Sequence, residues 1–223
     1  MVSSKSCRVK EPIGPAERNT ESTPSRKSAG QSQIVLAAVD LGTNNCRMLV
    51  AHPDCDDFEV VDSFSRITRL GEGLSASGRL SDAAMKRTVE ALSSCAEKMK
   101  RCGVTTSRHV ATEACRRAEN CDYFLDQVED QTGIALEIIS SDEEAGLALK
   151  GCAPLLNHEV PYAIIFDIGG GSTEVLFVKI HDQGNTEVLG CISIPLGVVT
   201  VAEDCGGGDL CERTYAEVAV RVR

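Results

Sequence analysis

Two short segments of this chain repeat one arrangement: an apolar run, an aspartate, then a tight turn carrying glycine and hydroxyl or amide side chains. The first is Asp40-Leu41-Gly42-Thr43-Asn44-Asn45 after the run 34–39, and the second is Asp167-Ile168-Gly169-Gly170-Gly171-Ser172-Thr173-Glu174 after the run 163–166. Each run reads as a buried strand, so each aspartate stands at a strand end beside a turn. Glycine lets backbone amides approach an anion closely, the hydroxyl and amide groups add donors, and a carboxylate can hold a divalent cation that bridges phosphate oxygens. The pair therefore predicts a phosphate site built twice, in a chain that acts on phosphoanhydrides. Neither segment is a Walker loop, which requires Lys and Ser/Thr after its last glycine, and this argues against a P-loop kinase or GTPase. A lone Asp-x-Gly is more often a plain hairpin turn; two copies half a domain apart are harder to explain that way.

The pattern between the turns is that of an α/β protein. Strands are predicted over 34–40 (fully buried), 46–51 and 58–64. A helix follows, with Ser81 as N-cap, Met85, Val89, Leu92, Ala96 and Met99 at helical spacing, basic residues in its last turn and Gly103 as its stop. A strand at 109–111, a helix over 121–131 ended by Gly133, a strand at 136–139 and a helix from Ser141 to Cys152 complete the order βββαβαβα. After a linker at 154–161, strands over 163–168, 174–180 and 186–194 and a short helix after Leu196 restart it. The expected organisation is a first lobe over 32–153 and a partial second lobe over 162–223, with any phosphate in the cleft between them. The second lobe is expected to lack its last βα units, which leaves a homodimer, completed from a partner copy, as an open alternative. Residues 1–31, rich in Ser, Pro, Lys, Arg and Glu, are expected to be disordered.

Composition narrows the function. With 42% hydrophobic and 25% charged residues the chain is of the soluble globular kind, and no apolar run is long enough to span a bilayer. No membrane association and a cytoplasmic location are the expectations. A net charge of −10 argues against a nucleic-acid binder, and it means that a polyanionic substrate needs a local site built from a cation and a few arginines. The 11 cysteines are scattered and form no Cys-x-x-Cys pair, so they read as reduced core residues rather than a zinc site.

Five segments in order then carry a resemblance: DLGTNN at 40–45, RLGEGL at 69–74, ATEACR at 111–116, ISSDEEA at 139–145 and DIGGGSTE at 167–174. Together they resemble the bacterial exopolyphosphatase/guanosine-pentaphosphate phosphohydrolase family, within the ribonuclease H-like, actin-like ATPase fold. The resemblance implies Mg²⁺-dependent release of the terminal phosphate from polyphosphate, or conversion of guanosine pentaphosphate to tetraphosphate. It further implies that Glu144 positions or activates water and that Asp40 and Asp167 hold the metal, with Glu174 beside metal and phosphates as a second catalytic carboxylate. Thr43, Asn44, Asn45, Arg116, Gly169, Gly170, Gly171, Ser172 and Thr173 are implied as phosphate contacts. Gly146 departs from the pattern, standing where many relatives carry an arginine.

Glu144 also has a structural reading, because Ser141-x-x-Glu144 ahead of an apolar helix is a capping box. Arg117 reads as a solvated neighbour of Arg116, Arg69 is a weaker anion contact, and His109 reads as packed in its strand. An actin-like ATPase or kinase, and a phosphate-binding or alarmone-binding module without catalysis, are the competing functions.

Overall fold

The computed structural model describes residues 34–55, 57–181, 185–206 and 212–221; the segment expected to be disordered lies outside them. Strand β1 (Leu36–Leu41) alternates rather than being buried throughout: Ala37, Val39 and Leu41 face a core, while Leu36, Ala38 and Asp40 are exposed on the other face. β2 (Asn45–Pro53) and β3 (Phe58–Ile67) extend the sheet antiparallel, and β4 (Thr106–Ala111) and β5 (Glu137–Ile138) extend it parallel on the far side of β1. The order is β3-β2-β1-β4-β5.

One face of this sheet is closed by two helices. α2 (Asp82–Cys102) begins where the Ser81 hydroxyl accepts from the Ala84 amide at 3.2 Å, and it ends at Gly103 with φ 67°, the left-handed cap that glycine adopts without strain. Its buried stripe meets α4 (Cys121–Thr132) over the sheet, with Leu92, Cys95, Phe124 and Val128 sealed from solvent. Burying a large apolar side chain such as Phe124 or Leu92 contributes roughly 1.5–3 kcal/mol. Two short helices, α1 (Leu74–Ser77) and α3 (Glu113–Arg117), were not expected. They span one turn or little more, too short to leave a helical period in the sequence.

The second sheet is antiparallel, β6 (Tyr162–Ile168), β7 (Thr173–Ile180) and β8 (Thr186–Ile194), followed by α6 (Val198–Asp204) and α7 (Glu212–Arg221). α5 (Ser141–Cys152), which the sequence boundary leaves with the first lobe, shares a core with this second sheet: Ala145 and Leu149 pack on Ile165, Leu176 and Val178.

The duplication extends to single residues. The Gly42 amide donates to the Asn45 carbonyl at 2.9 Å, and 127 positions later the Gly169 amide donates to Ser172 at the same distance. The β2/β3 register shifts between Val50 and Ala51, and the β7/β8 register shifts at the equivalent Phe177 and Val178. Mixed α/β architecture with two sheets of this kind is the actin-like ATPase fold that the resemblance implied. No helix among the described residues is long and apolar enough to cross a membrane.

Candidate active site

The two glycine turns meet face to face. A Cβ placed on Gly171 would lie 2.7 Å from Thr43 Oγ1 and 3.1 Å from Glu113 Cγ, and one on Gly170 would lie 3.1 Å from the Asn44 amide nitrogen. Only glycine allows this approach. Each turn is braced from behind. The Thr43 carbonyl accepts from the Gly71 amide (2.9 Å) and the Asn44 carbonyl from Thr68 and Arg69 (2.9 and 3.0 Å). In the second lobe the Gly169 carbonyl accepts from Val198 (3.0 Å) and the Gly170 carbonyl from Val199 (2.8 Å), at the start of α6. Because a trans peptide points its amide opposite to its carbonyl, the brace at Thr43 turns the Asn44 N–H toward the facing loop.

Between the turns lies a polar cavity of about 170 Å³. Of the residues expected at the site, Asp40, Thr43, Asn44, Asn45, Glu144, Asp167, Gly169, Gly170, Gly171 and Ser172 line it. Thr43 is buried and its hydroxyl finds no hydrogen-bond partner in the protein. A buried, unpartnered hydroxyl costs free energy unless something outside the chain completes it. The cavity continues into a mostly apolar groove of about 700 Å³ that shares Asp40, Arg47, Thr112, Glu144 and Asp167 with it.

Three expected residues do not line the cavity. Arg116 stands behind it, with its guanidinium bonded to the Glu113 carboxylate (3.0 and 3.1 Å), to Glu144 Oε2 (2.9 Å) and to the Ile139 carbonyl (2.9 Å). Its charge therefore goes to two carboxylates. The Thr173 hydroxyl donates to the Leu196 carbonyl at 2.7 Å. Glu174 is 1% exposed, sits opposite Asp167 in the β6/β7 ladder and accepts a hydrogen bond from the Ser193 hydroxyl at 2.8 Å.

The capping box predicted at Ser141 is absent. The N-cap is Ser140, whose hydroxyl accepts from the Glu143 amide, and Glu143 turns away to Arg108 at 2.7 Å. Glu144 is thereby left for Arg116, across from the first lobe. Burial is the largest influence on Glu144 and raises its pKa above the ordinary value; the Arg116 hydrogen bond and charge pull it back, and the charges of Glu174 and Asp167 push it up again. Asp40 is exposed to the cleft yet flanked by protein, and this partial loss of water raises its pKa, with Arg47 lowering it and Asp167 raising it. Asp40 thus feels the charge of Asp167.

Arg47, Thr112 and Glu113 line the cavity and were not singled out in the sequence. Arg47 was within reach of a register argument: the Gly42–Asn45 turn pairs Asp40 with Arg47, as the second turn pairs Asp167 with Glu174. Arg69 contributes backbone only, its amide to Asn44 and its carbonyl to Arg87. The His109 ring is held by the Ala135 carbonyl through Nδ1.

Comparison with known proteins completes the picture. Residues 49–222 match the sequence profile of the Ppx/GppA phosphatase family. The chain is 35% identical over 200 residues to exopolyphosphatase 2 of Mycobacterium tuberculosis, covering 84% of this chain and 61% of the relative. It is 34% identical over 184 residues to a guanosine-5'-triphosphate,3'-diphosphate pyrophosphatase of Aeromonas salmonicida, covering 82% and 36%. The crystal structure of the Aquifex aeolicus Ppx/GppA family member superposes with a TM-score of 0.63 at 30% identity, over 76% of this chain and 54% of that one. The chain thus spans about three fifths or less of the length of these relatives.

Proposed function

The chain belongs to the Ppx/GppA phosphatase family, and from that premise we propose that it is a phosphohydrolase cleaving the terminal phosphoanhydride of inorganic polyphosphate or guanosine pentaphosphate. The observation that carries this reading is the cavity between the twin aspartate turns, where two carboxylates and the unpartnered Thr43 hydroxyl converge. The activities for which the mycobacterial and Aeromonas relatives are named support both substrates.

The donor set fits a magnesium ion. All the groups are hard oxygen donors, and among the described residues no three carboxylate, imidazole or thiolate groups form a cage. Mg²⁺ characteristically takes one or two carboxylates and leaves the rest of its shell to water and substrate phosphates. Asp40 and Asp167 would hold it. When bound, it would supply positive charge against the phosphate oxygens. Replacing Asp40 by Asn is expected to raise the Mg²⁺ concentration needed for half-maximal phosphate release at least about tenfold, since outer-shell partners alone are commonly worth 10- to 100-fold.

Chemistry at the terminal phosphorus is chiefly a matter of positioning and charge. Glu144 orients a water in line with the leaving oxygen and takes its proton. The amides of Gly170 to Ser172, the Asn44 and Asn45 side chains and Arg47 offset charge on the phosphoryl oxygens, a type of contact worth about 10²–10³ in rate per donor. Arg116 holds Glu144 in place. Glu174 adds negative charge that favours proton uptake by Glu144.

The deciding experiment is Mg²⁺-dependent phosphate release from polyphosphate and from guanosine pentaphosphate by the folded chain. Release from one or both is expected; tight binding of either without release would make the chain a binding module instead. The pH profile offers a second check. Glu144 must be ionised to act, so the rate should rise with pH through its pKa, above the ordinary glutamate value of about 4.3. Arg116→Met removes the positive charge that lowers this pKa and should move the acid limb to still higher pH.

A further inference from the structure

The segment RLGEGL at 69–74 braces the first glycine turn, and its last glycine also reaches the second lobe. The Gly73 amide donates to Glu203 Oε1 at 2.9 Å, across 130 positions of sequence. Glu203 belongs to α6, whose Val198 and Val199 amides hold the carbonyls of the second turn. Gly73 belongs to the loop whose Thr68, Arg69 and Gly71 amides hold the carbonyls of the first. The bond therefore joins the two braces, and Glu203 itself does not line the cavity. We propose that Glu203 is a positioning residue, which ties the loop to α6 and so sets the gap across which the two turns grip a chain of phosphates. This deepens the phosphohydrolase reading and rests on it.

The loop is built to pass a displacement on rather than absorb it. Arg87 of α2 donates to the Thr68 carbonyl (3.0 Å) and the Arg69 carbonyl (3.4 Å), and it pairs with Glu72 at 2.7 Å. Arg69 has φ 51°, in the left-handed region that a residue with a side chain enters only when its surroundings hold it there. Its amide, donated to Asn44, and its carbonyl, which also accepts from Glu72 at 3.1 Å, provide that hold. A Cβ on Gly71 would fall on the Thr43 methyl, so loop and first turn are in direct contact. On the other side Gly197, which opens α6, lies against the Gly170 backbone. Each brace thus moves with its own turn, and Glu203 links the braces.

A carboxylate suits this task, because it accepts from the amide in a charge-assisted hydrogen bond, stronger than one between neutral groups. Its charge by itself acts in the opposite sense. A negative group near a cleft that takes a polyanion repels the ligand. A Glu203 with no part in the site would therefore weaken binding, and its removal would strengthen it. A Glu203 that positions the turns does the reverse.

The test titrates tripolyphosphate with Mg²⁺ into the full chain and its Glu203→Ala and Glu203→Gln variants by calorimetry, with phosphate-release kinetics alongside. Glutamine keeps an acceptor oxygen for the Gly73 amide, and alanine, a good helix former in α6, keeps none. Glu203→Ala is expected to weaken binding and raise KM about three- to tenfold, the usual weight of one hydrogen bond. Its kcat should change little, because Glu144 is held by Arg116 and not by this loop. Glu203→Gln should stay close to the unmutated chain. Hydrogen exchange reads the coupling without turnover: in Glu203→Ala the amides of both turns, in peptides covering 40–45 and 169–173, should exchange faster. Tighter binding in both variants, unchanged binding in Glu203→Ala, or equal loss in Glu203→Gln overturns the proposal. Faster exchange confined to 71–74 and 198–204 overturns the coupling to the turns. An unmutated chain that binds tripolyphosphate and releases nothing counts against the phosphohydrolase reading alone, since binding and exchange still test Glu203.

Discussion

Glu144→Gln is expected to reduce phosphate release by about 10²- to 10⁴-fold, the usual contribution of a positioned proton acceptor, while the fold stays intact. Glutamine keeps the shape of the side chain and can still accept from Arg116, but it cannot take a proton from water. The structure removes the main competing explanation. A glutamate serving as a cap would lose at most about 0.5–2 kcal/mol of stability on substitution, but the cap of α5 is the Ser140 hydroxyl, and Glu144 reaches Arg116 instead. Circular dichroism and thermal melting should therefore match the unmutated chain while release collapses. A variant that melts early, or one that retains full release, would remove Glu144 from its role.

Gly197→Ala is expected to have the largest effect on the architecture of the site. A Cβ at this position would fall on the Gly170 carbonyl, and backbone cannot yield as a flexible side chain does. That carbonyl also accepts from Val199 and Thr200, so pushing it breaks the brace that shapes the second turn. Overpacking of this kind costs typically 1–3 kcal/mol, a fall in Tm of roughly 2–4 °C for each kcal/mol in a chain of this size. Phosphate binding should weaken along with it. Gly146→Ala is the control, because nothing lies within 4 Å of the added carbon in α5 and alanine is the better helix former there. Thermal melts and tripolyphosphate titrations of the two variants should diverge; equal behaviour would mean that the Gly197–Gly170 contact does not hold the turn.

Features legible in the sequence were those whose cause is local. The boundaries of α2 follow from Ser81, Gly103 and an apolar stripe between them, and each of these acts within a turn of its own position. The two aspartate turns were readable because a strand, an acid and a glycine leave the same signature wherever they occur. Errors arose where one residue of register mattered. The cap at Ser140 rather than Ser141 shifts the capping partner from Glu144 to Glu143, and Glu143 then pairs with Arg108 on another strand. The alternation in β1 was hidden because Ala38 and Leu36 are as apolar as their buried neighbours.

The sequence by itself determined the longer elements, the duplicated turns and the inventory of acids and donors, since these depend on short-range sterics, periodicity and side-chain chemistry. Only the tertiary structure decided which of them meet. Glu144 and Arg116 are 28 positions apart, Thr43 and Gly171 more than a hundred, and their contacts depend on how α5 packs on the second sheet and how the two turns face each other. Burial, which raises the pKa values of Glu144 and Asp40 and leaves the Thr43 hydroxyl without a partner, is likewise a property of the assembled cleft. Local sequence sets what a residue can donate or accept, and packing sets the distance and dielectric that turn it into a site.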